Sequence, residues 1–529
     1  MLRLFSRLHH HPMIRRTLLL AFVFLMAHAL KAQDIGVWQL RALDPTLTGT
    51  GVRVAQPEAI ASGTDGWEVN PGTVGQPVSL FSYRSTSGSS SSFTNSVGSE
   101  SYHANLVGDQ FYGKVNTSNP EGVAYGVSHV DNYDATYFAN NLVIPQKSIP
   151  AKVVNQSFIF SGQDANIDQY YDNYVTHTTP QSNKPYNTIF ISGAGNGGSP
   201  SSPSTCYNGI GVAAYGGASS YGPTNDGRSK PDITAPASAT SYSTPQVSGA
   251  AAILVEAGNR FGTTTTTGSN AIDSRTIKAL LLNGAVKQYG WTHTTTAVLD
   301  IHQGAGVLNV FNSYQQLVAG VYVFTTSNTS QTPPGVSGTF NTLTGWDFNS
   351  LTSSGTNNRV NHYFFDLNQS QGSSFTVNAT LVWNRQNGQS SINNLDFFLY
   401  NSVGTLVASS VSTVDNVEHL FTSYLTPGRY DLEVVKRGTG SVTSAETYAL
   451  AFSFVSSATI NAAISISDSD VNIAFPSIVG HDYRVESSTD LMTWSTLSDN
   501  IHGTDATITI TDWNALNQSQ KSYRVKVLQ

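Results

Sequence analysis

The segment Ala239-Thr240-Ser241-Tyr242-Ser243-Thr244-Pro245-Gln246-Val247-Ser248-Gly249-Ala250-Ala251-Ala252 sets a serine directly in front of a run of small and apolar residues. The run predicts a helix from Pro245 to about Gly258, with Ser241 at its N-terminus. Backbone N–H groups there have no intrahelical acceptor, and the helix dipole is positive. A hydroxyl in that field suits nucleophilic attack on a carbonyl, because the neighbouring N–H groups can hold the oxyanion that forms. The one cysteine, Cys206, sits in Thr205-Cys206-Tyr207 with no histidine beside it. It is expected as a buried packing residue, and it leaves no intrachain disulfide to form.

The elements that must position Ser241 alternate between β and α over residues 36–315. Val52-Arg53-Val54-Ala55, Val153-Val154-Asn155 and Thr188-Ile189-Phe190-Ile191-Ser192 read as short, continuously apolar strands. Such strands suit a parallel sheet covered on both faces. A second helix is predicted from Ser274, as N-cap, to Leu282, with Asn283-Gly284 as its stop. Asn328 to Gly335 is a linker by composition. After it, short alternating strands such as 362–366, 395–400, 429–434 and 448–452 predict an all-β sandwich. The pattern shifts again after Ser456, and strands at 471–475, 483–486 and 523–527 predict a smaller sandwich.

Several of these segments, in this order, resemble the motifs of the subtilisin-like serine proteases (subtilases). Thr240, Ser241, Pro245, Val247 and Gly249 fit the family's serine motif, while Ala239, Tyr242, Ser243 and Ser248 depart from it. Ser101-Tyr102-His103-Ala104-Asn105-Leu106-Val107-Gly108 resembles the histidine motif, and Gly122-Val123-Ala124-Tyr125-Gly126-Val127 the run that follows it. Ser192-Gly193-Ala194-Gly195-Asn196-Gly197 resembles the family's asparagine loop, and Asn155-Gln156-Ser157 its substrate-pairing strand. Lys230-Pro231-Asp232-Ile233-Thr234-Ala235-Pro236 and Gly304-Ala305-Gly306-Val307-Leu308-Asn309 also match. The resemblance spans about residues 45–315. It implies an α/β, three-layer subtilisin-like domain with a mainly parallel sheet, at 33–325. All-β sandwiches of jelly-roll type (336–456) and fibronectin-like type (457–529) follow.

The resemblance also implies roles. Ser241 is the nucleophile, His103 the general base, Asn196 the oxyanion donor, and Ser157, Gly193 and Gly195 line the peptide site. Where the family has an aspartate, Val54-Ala55-Gln56-Pro57-Glu58 puts Glu58. Glutamate is one methylene longer, and Asp65 and Glu68 are nearby alternatives. The implied activity is endopeptidase cleavage of protein or peptide substrates with no cofactor. The other reading is a subtilase fold with degenerate chemistry that serves as a binding or adhesive module. Asp396, Asp415, Asn416 and Glu418, in segments similar to a bacterial jelly-roll, are oxygen-bearing candidates for structural calcium, or else solvated strand-end groups.

Composition limits the partners. Only 12 % of the chain is charged, the formal net charge is -7, and no basic stripe suggests nucleic acid. Residues 1–32 read as an export signal: Arg3, Arg7, Arg15 and Arg16 precede an apolar run from Leu18 to Leu30, with cleavage after Ala32. That run is shorter than the roughly 20 residues of a transmembrane helix, although an uncleaved anchor is the alternative. Its removal takes the charge to -12 and implies a secreted or cell-envelope protein with no transmembrane segment. The C-terminal domains then offer contact with a cell surface or polymer. Too few residues separate Ala32 from Gly51 for the propeptide that subtilases commonly carry.

Overall fold

The computed structural model describes residues 35–60, 66–114, 122–178, 186–262, 265–288, 290–322, 326–328, 339–352, 357–369, 371–372, 374–456, 462–477, 482–489, 493–504, 506–517 and 521–528. The expected export signal, Asp65 and nearly all of the expected linker lie outside these residues.

The chain begins with α1 (Val37–Leu43), β1 (Arg53–Glu58), β2 (Phe81–Ser85), β3 (Gly88–Ser90), α2 (Tyr102–Tyr112), β4 (His129–Asp134) and β5 (Val153–Gln156). There follow α3 (Ala165–Thr176), β6 (Ile189–Gly193), β7 (Ile210–Tyr215), β8 (Ile233–Pro236), α4 (Thr240–Asn259), α5 (Ser274–Gly284) and α6 (Val310–Ala319). The eight strands form one sheet in the order β3-β2-β4-β1-β5-β6-β7-β8. Only the β2–β3 pairing is antiparallel. Both faces are covered, as the continuously apolar strands require. Val54, Val153, Ile191 and Val212 pack with Val247, Ile253 and Leu254 of α4. On the other face Ala55, Val154 and Phe190 pack with Tyr137, Phe138, Tyr171, Tyr174 and the buried Cys206.

Helix α4 is buried from Ser243 to Gly258. It starts at Thr240, five residues earlier than Pro245, so the proline lies inside the helix. Pro245 has no N–H to give the carbonyl of Ser241 four residues back. The Ser157 hydroxyl donates to that carbonyl instead, at 2.9 Å. Gly249 lets the helix approach residues 122–127: a Cβ there would come 2.5 Å from Val123 Cβ. Helix α5 is capped by Asp273 rather than Ser274, with the carboxylate accepting from Arg275 N.

Beyond residue 325 all sheets are antiparallel. The strands β9 (Thr326–Asn328), β10 (Thr344–Thr352), β11 (Arg359–Leu367), β12 (Phe375–Trp383), β13 (Leu395–Asn401), β14 (Leu406–Ser410), β15 (Val417–Leu425), β16 (Gly428–Lys436) and β17 (Ala445–Ser456) form two sheets. Their orders are β10-β17-β12-β15 and β14-β13-β16-β11-β9. Tyr363, Phe365, Trp383, Phe397, Leu432 and Phe452 fill the space between them. Part of the outer face of the four-stranded sheet is covered by the α/β part. Trp346, Val382, Ala449 and Ala451 join the α/β core, and Trp346 Nε1 donates to the Leu317 carbonyl of α6 at 3.0 Å. A second sandwich follows, built from β18 (Ala463–Ser467), β19 (Asp470–Pro476), β20 (Asp482–Ser488), β21 (Ser495–His502), β22 (Thr507–Asp512) and β23 (Ser522–Leu528) around Ile473, Phe475, Tyr483 and Val485. Among the described residues no helix is long and apolar enough to cross a membrane.

Candidate active site

In a parallel sheet the carboxyl ends of neighbouring strands open on one edge, and ligands bind there. Glu58 is the last residue of β1, Ser157 directly follows β5, and Gly193 ends β6. Helix α2 brings His103 in its first turn, capped by Ser101, whose hydroxyl accepts from Ala104 N. Helix α4 brings Ser241 as its second residue.

Glu58 is 1 % exposed, and its Oε2 lies 3.0 Å from His103 Nδ1. Its other oxygen accepts from Gln56 Nε2 at 2.9 Å. The same Gln56 nitrogen donates to the Ala104 carbonyl at 2.9 Å, and the side-chain Oε1 of Gln56 accepts from the Tyr112 hydroxyl. Gln56 therefore ties the carboxylate to both ends of the helix that carries the histidine. Pro57 does not end the strand: β1 stays in register with β4 through Glu58↔Asp134. The pairing of β1 with β5 covers only Val54 and Ala55, so β5 has no ladder bond at Pro57 to lose. Among the described residues, Glu58 is the carboxylate paired with His103. Glu68 is buried elsewhere, its residue bridged to Glu100, and burial raises its carboxyl pKa.

The ring of Tyr242 stands 6.1 Å from that of His103, centroid to centroid, and places the start of α4 against the imidazole. Ser241, one residue before Tyr242, is half-buried. Its carbonyl is fixed through a relay in which Ser248 Oγ donates to Asn155 Oδ1 at 2.9 Å and Asn155 Nδ2 to Ser157 Oγ at 3.1 Å. Ser157 then donates to Ser241 O. The hydroxyl of Ser157 is thus turned to the helix, and a peptide contact from this residue is left to its backbone.

Asn196 is exposed, but its orientation is set. Its Oδ1 accepts from Thr240 N at 2.9 Å and from Thr240 Oγ1 at 2.8 Å. A backbone N–H can only donate, so the amide oxygen is the atom facing Thr240, and the –NH2 group is left pointing away as a free donor pair. Gly193 lies where a Cβ would crowd Thr244 Oγ1 at 3.1 Å and Thr240 Oγ1 at 3.2 Å. Gly195 has φ +108°, and a Cβ would meet Ser220 Oγ at 2.7 Å.

Sequence reasoning missed four supports: Gln56, Tyr112, Thr240 and Ser248. Gln56 had a signal, since residues two apart on a strand share a face and Gln56 precedes Glu58 by two. The others act across the fold. The four calcium candidates all have protein partners. Asp396 pairs with the Arg437 guanidinium, and Asp415 accepts from Ser229 N and Ser412 Oγ, both at 2.8 Å. Asn416 Nδ2 donates to the carbonyls of Tyr207 and Trp383, and Glu418 accepts from Ser410.

No curated protein matches the chain. Among solved structures, tripeptidyl peptidase 2 is similar at 12 % identity over 82 % of this chain and 54 % of its own, with a TM-score of 0.32. A lanthipeptide protease is similar at 13 % identity over 55 % of this chain and 94 % of its own, with a TM-score of 0.33. The chain spans about half the length of the tripeptidyl peptidase. Residues 82–306 match the model of the Subtilase family, a stretch that includes His103, Asn196 and Ser241 and begins after Glu58. The match to the subtilase family therefore lies within the α/β part of this protein.

Proposed function

We propose that the protein is an exported serine endopeptidase in which Ser241, His103 and Glu58 act as the triad and Asn196 as the oxyanion donor. The observation that carries this reading is the buried Glu58 carboxylate 3.0 Å behind His103 Nδ1. With Nδ1–H donated to that carboxylate, Nε2 keeps its lone pair and acts as the base. Ser241 Oγ attacks the peptide carbonyl carbon as its proton passes to His103 Nε2. The resulting imidazolium is stabilised by Glu58 and returns the proton to the leaving amine. The oxyanion meets the free –NH2 of Asn196 and the N–H groups at the start of α4. Water then repeats the sequence on the acyl-enzyme and releases the second product. Structural calcium is not needed for any of these steps.

The test is labelling by a fluorophosphonate probe, which reacts only with an activated serine. We expect wild type to label, and Ser241→Ala to show no labelling. Glu58→Gln is expected to label about 10³–10⁴-fold more slowly, because an amide stabilises no imidazolium. Wild-type protein that is folded yet inert to the probe would instead favour a binding module on a subtilase fold.

A further inference from the structure

On the five-stranded sheet of the first sandwich, away from the candidate active site, β11 and β16 bring three ionisable side chains to one point. His362 lies opposite Glu433 in the register, and Asp431 is two residues before Glu433 on the same face. His362 is 4 % exposed, and Asp431 and Glu433 are fully buried. His362 Nδ1 is 2.7 Å from Asp431 Oδ2 and 3.6 Å from Glu433 Oε1. One donor atom from each residue falls within 4.8 Å of the others. With both carboxyls ionised, Asp431 Oδ1, Glu433 Oε1 and Glu433 Oε2 are buried without a hydrogen-bond donor.

Two carboxylates and an imidazole in that setting are costly unless a positive charge joins them, since buried charge is stable only when paired or bound to a metal. Among the described residues no lysine or arginine supplies that charge: the ion pairs of Asp431 and Glu433 are with His362. The donor set is one nitrogen with carboxylate oxygens. Calcium and magnesium favour oxygen alone, whereas zinc takes imidazole nitrogen and carboxylate oxygen together.

We infer that His362, Asp431 and Glu433 bind a structural divalent ion of the zinc class that ties β11 to β16. Phe364, stacked on His362 with ring centroids 6.0 Å apart, closes one side of the group. The inference is independent of the peptidase reading, because none of these residues lies in the subtilase segment.

The full chain is treated with dipicolinate, dialysed, and titrated with Zn²⁺ or Ca²⁺ while thermal unfolding and metal content are followed. We expect one tightly held zinc per chain. With zinc at about a hundredfold excess over its dissociation constant, Tm rises by roughly 5–10 °C. Calcium should give no comparable shift. Glu433→Gln, which keeps the volume, should lose both the zinc and the shift while keeping its far-ultraviolet circular dichroism. His362→Gln serves as the second variant should the first not fold. No zinc retained and no zinc-dependent Tm in the wild type would overturn the inference. So would Glu433→Gln more stable than wild type with zinc present, which is the result for a proton shared between two buried carboxyls.

Discussion

Replacing the family's aspartate with Glu58 is less disruptive than its extra methylene suggests, because the neighbouring residues fit the longer side chain. The Gln56 amide holds one oxygen and His103 the other. It follows that Glu58→Asp, although it restores the family residue, should harm the protein. The shorter carboxylate retreats from Nδ1 by about 1 Å, and we expect kcat to fall about 10²-fold with KM little changed. Equal or higher kcat would mean that the Gln56 clamp is not what positions the acid. Thr240→Val removes one of the two bonds to Asn196 Oδ1 and should lower kcat about tenfold, the loss of about 1.4 kcal/mol that one hydrogen bond carries. In an Asn196→Ala background, itself about 10²–10³ down by the range known for a subtilisin, Thr240→Val should cost almost nothing more. Additive losses would place Thr240 in some other role.

Helix α4 works as an element because its two local faults compensate. Pro245 deprives the Ser241 carbonyl of its partner, and the Ser248–Asn155–Ser157 relay restores one. Ser157→Ala should therefore destabilise the fold by about 1–3 kcal/mol, the cost of an unsatisfied buried acceptor. With Pro245→Ala, a backbone N–H again becomes available, and the same Ser157→Ala change should cost less than half as much. Urea denaturation of the four proteins gives the coupling energy, and identical costs in both backgrounds would rule out this account. The helix period was legible in the small-residue run. Its start was not, because proline at an N-terminus is the ordinary reading, and only Ser157 on a distant strand makes an earlier start tolerable.

At the scale of the molecule, the α/β part and the first sandwich share a core. Asp172 pairs with Arg385 at 2.7 Å, both side chains buried, and Asp415 accepts from the backbone of Ser229. Burial pushes the Asp415 carboxyl up to about 6, from an ordinary value of 3.8. The folded state thus binds a proton more readily than the unfolded chain between those values. The stabilising contribution of Asp415 is complete below about pH 4 and is lost as pH rises through 6. Asp415→Asn cannot titrate, so its stability relative to wild type should improve by about 3 kcal/mol between pH 4 and pH 7. Urea unfolding at the two pH values measures this, and a difference that does not change with pH would show that Asp415 stays ionised in its cleft.

What the sequence determined by itself is local. Ser241, His103 and Asn196 each sit in a short motif whose glycines and small residues dictate the backbone around them, so the strand, the loop and the presence of a helix can be read from neighbours in the chain. The Lys230-Pro231-Asp232 motif was legible for the same reason, and Lys230 Nζ indeed meets Asp232 at 2.5 Å. Lys278, which reaches the other oxygen of Asp232 at 3.0 Å, looked like any helical lysine. Tertiary structure alone chose Glu58 over Glu68, joined Gln56 to Tyr112 and Thr240 to Asn196, seated the sandwich on α5 and α6, and gathered His362, Asp431 and Glu433. Each of those outcomes depends on which side chains share a low-dielectric space, and residues far apart in the chain enter it only once the sheets have formed.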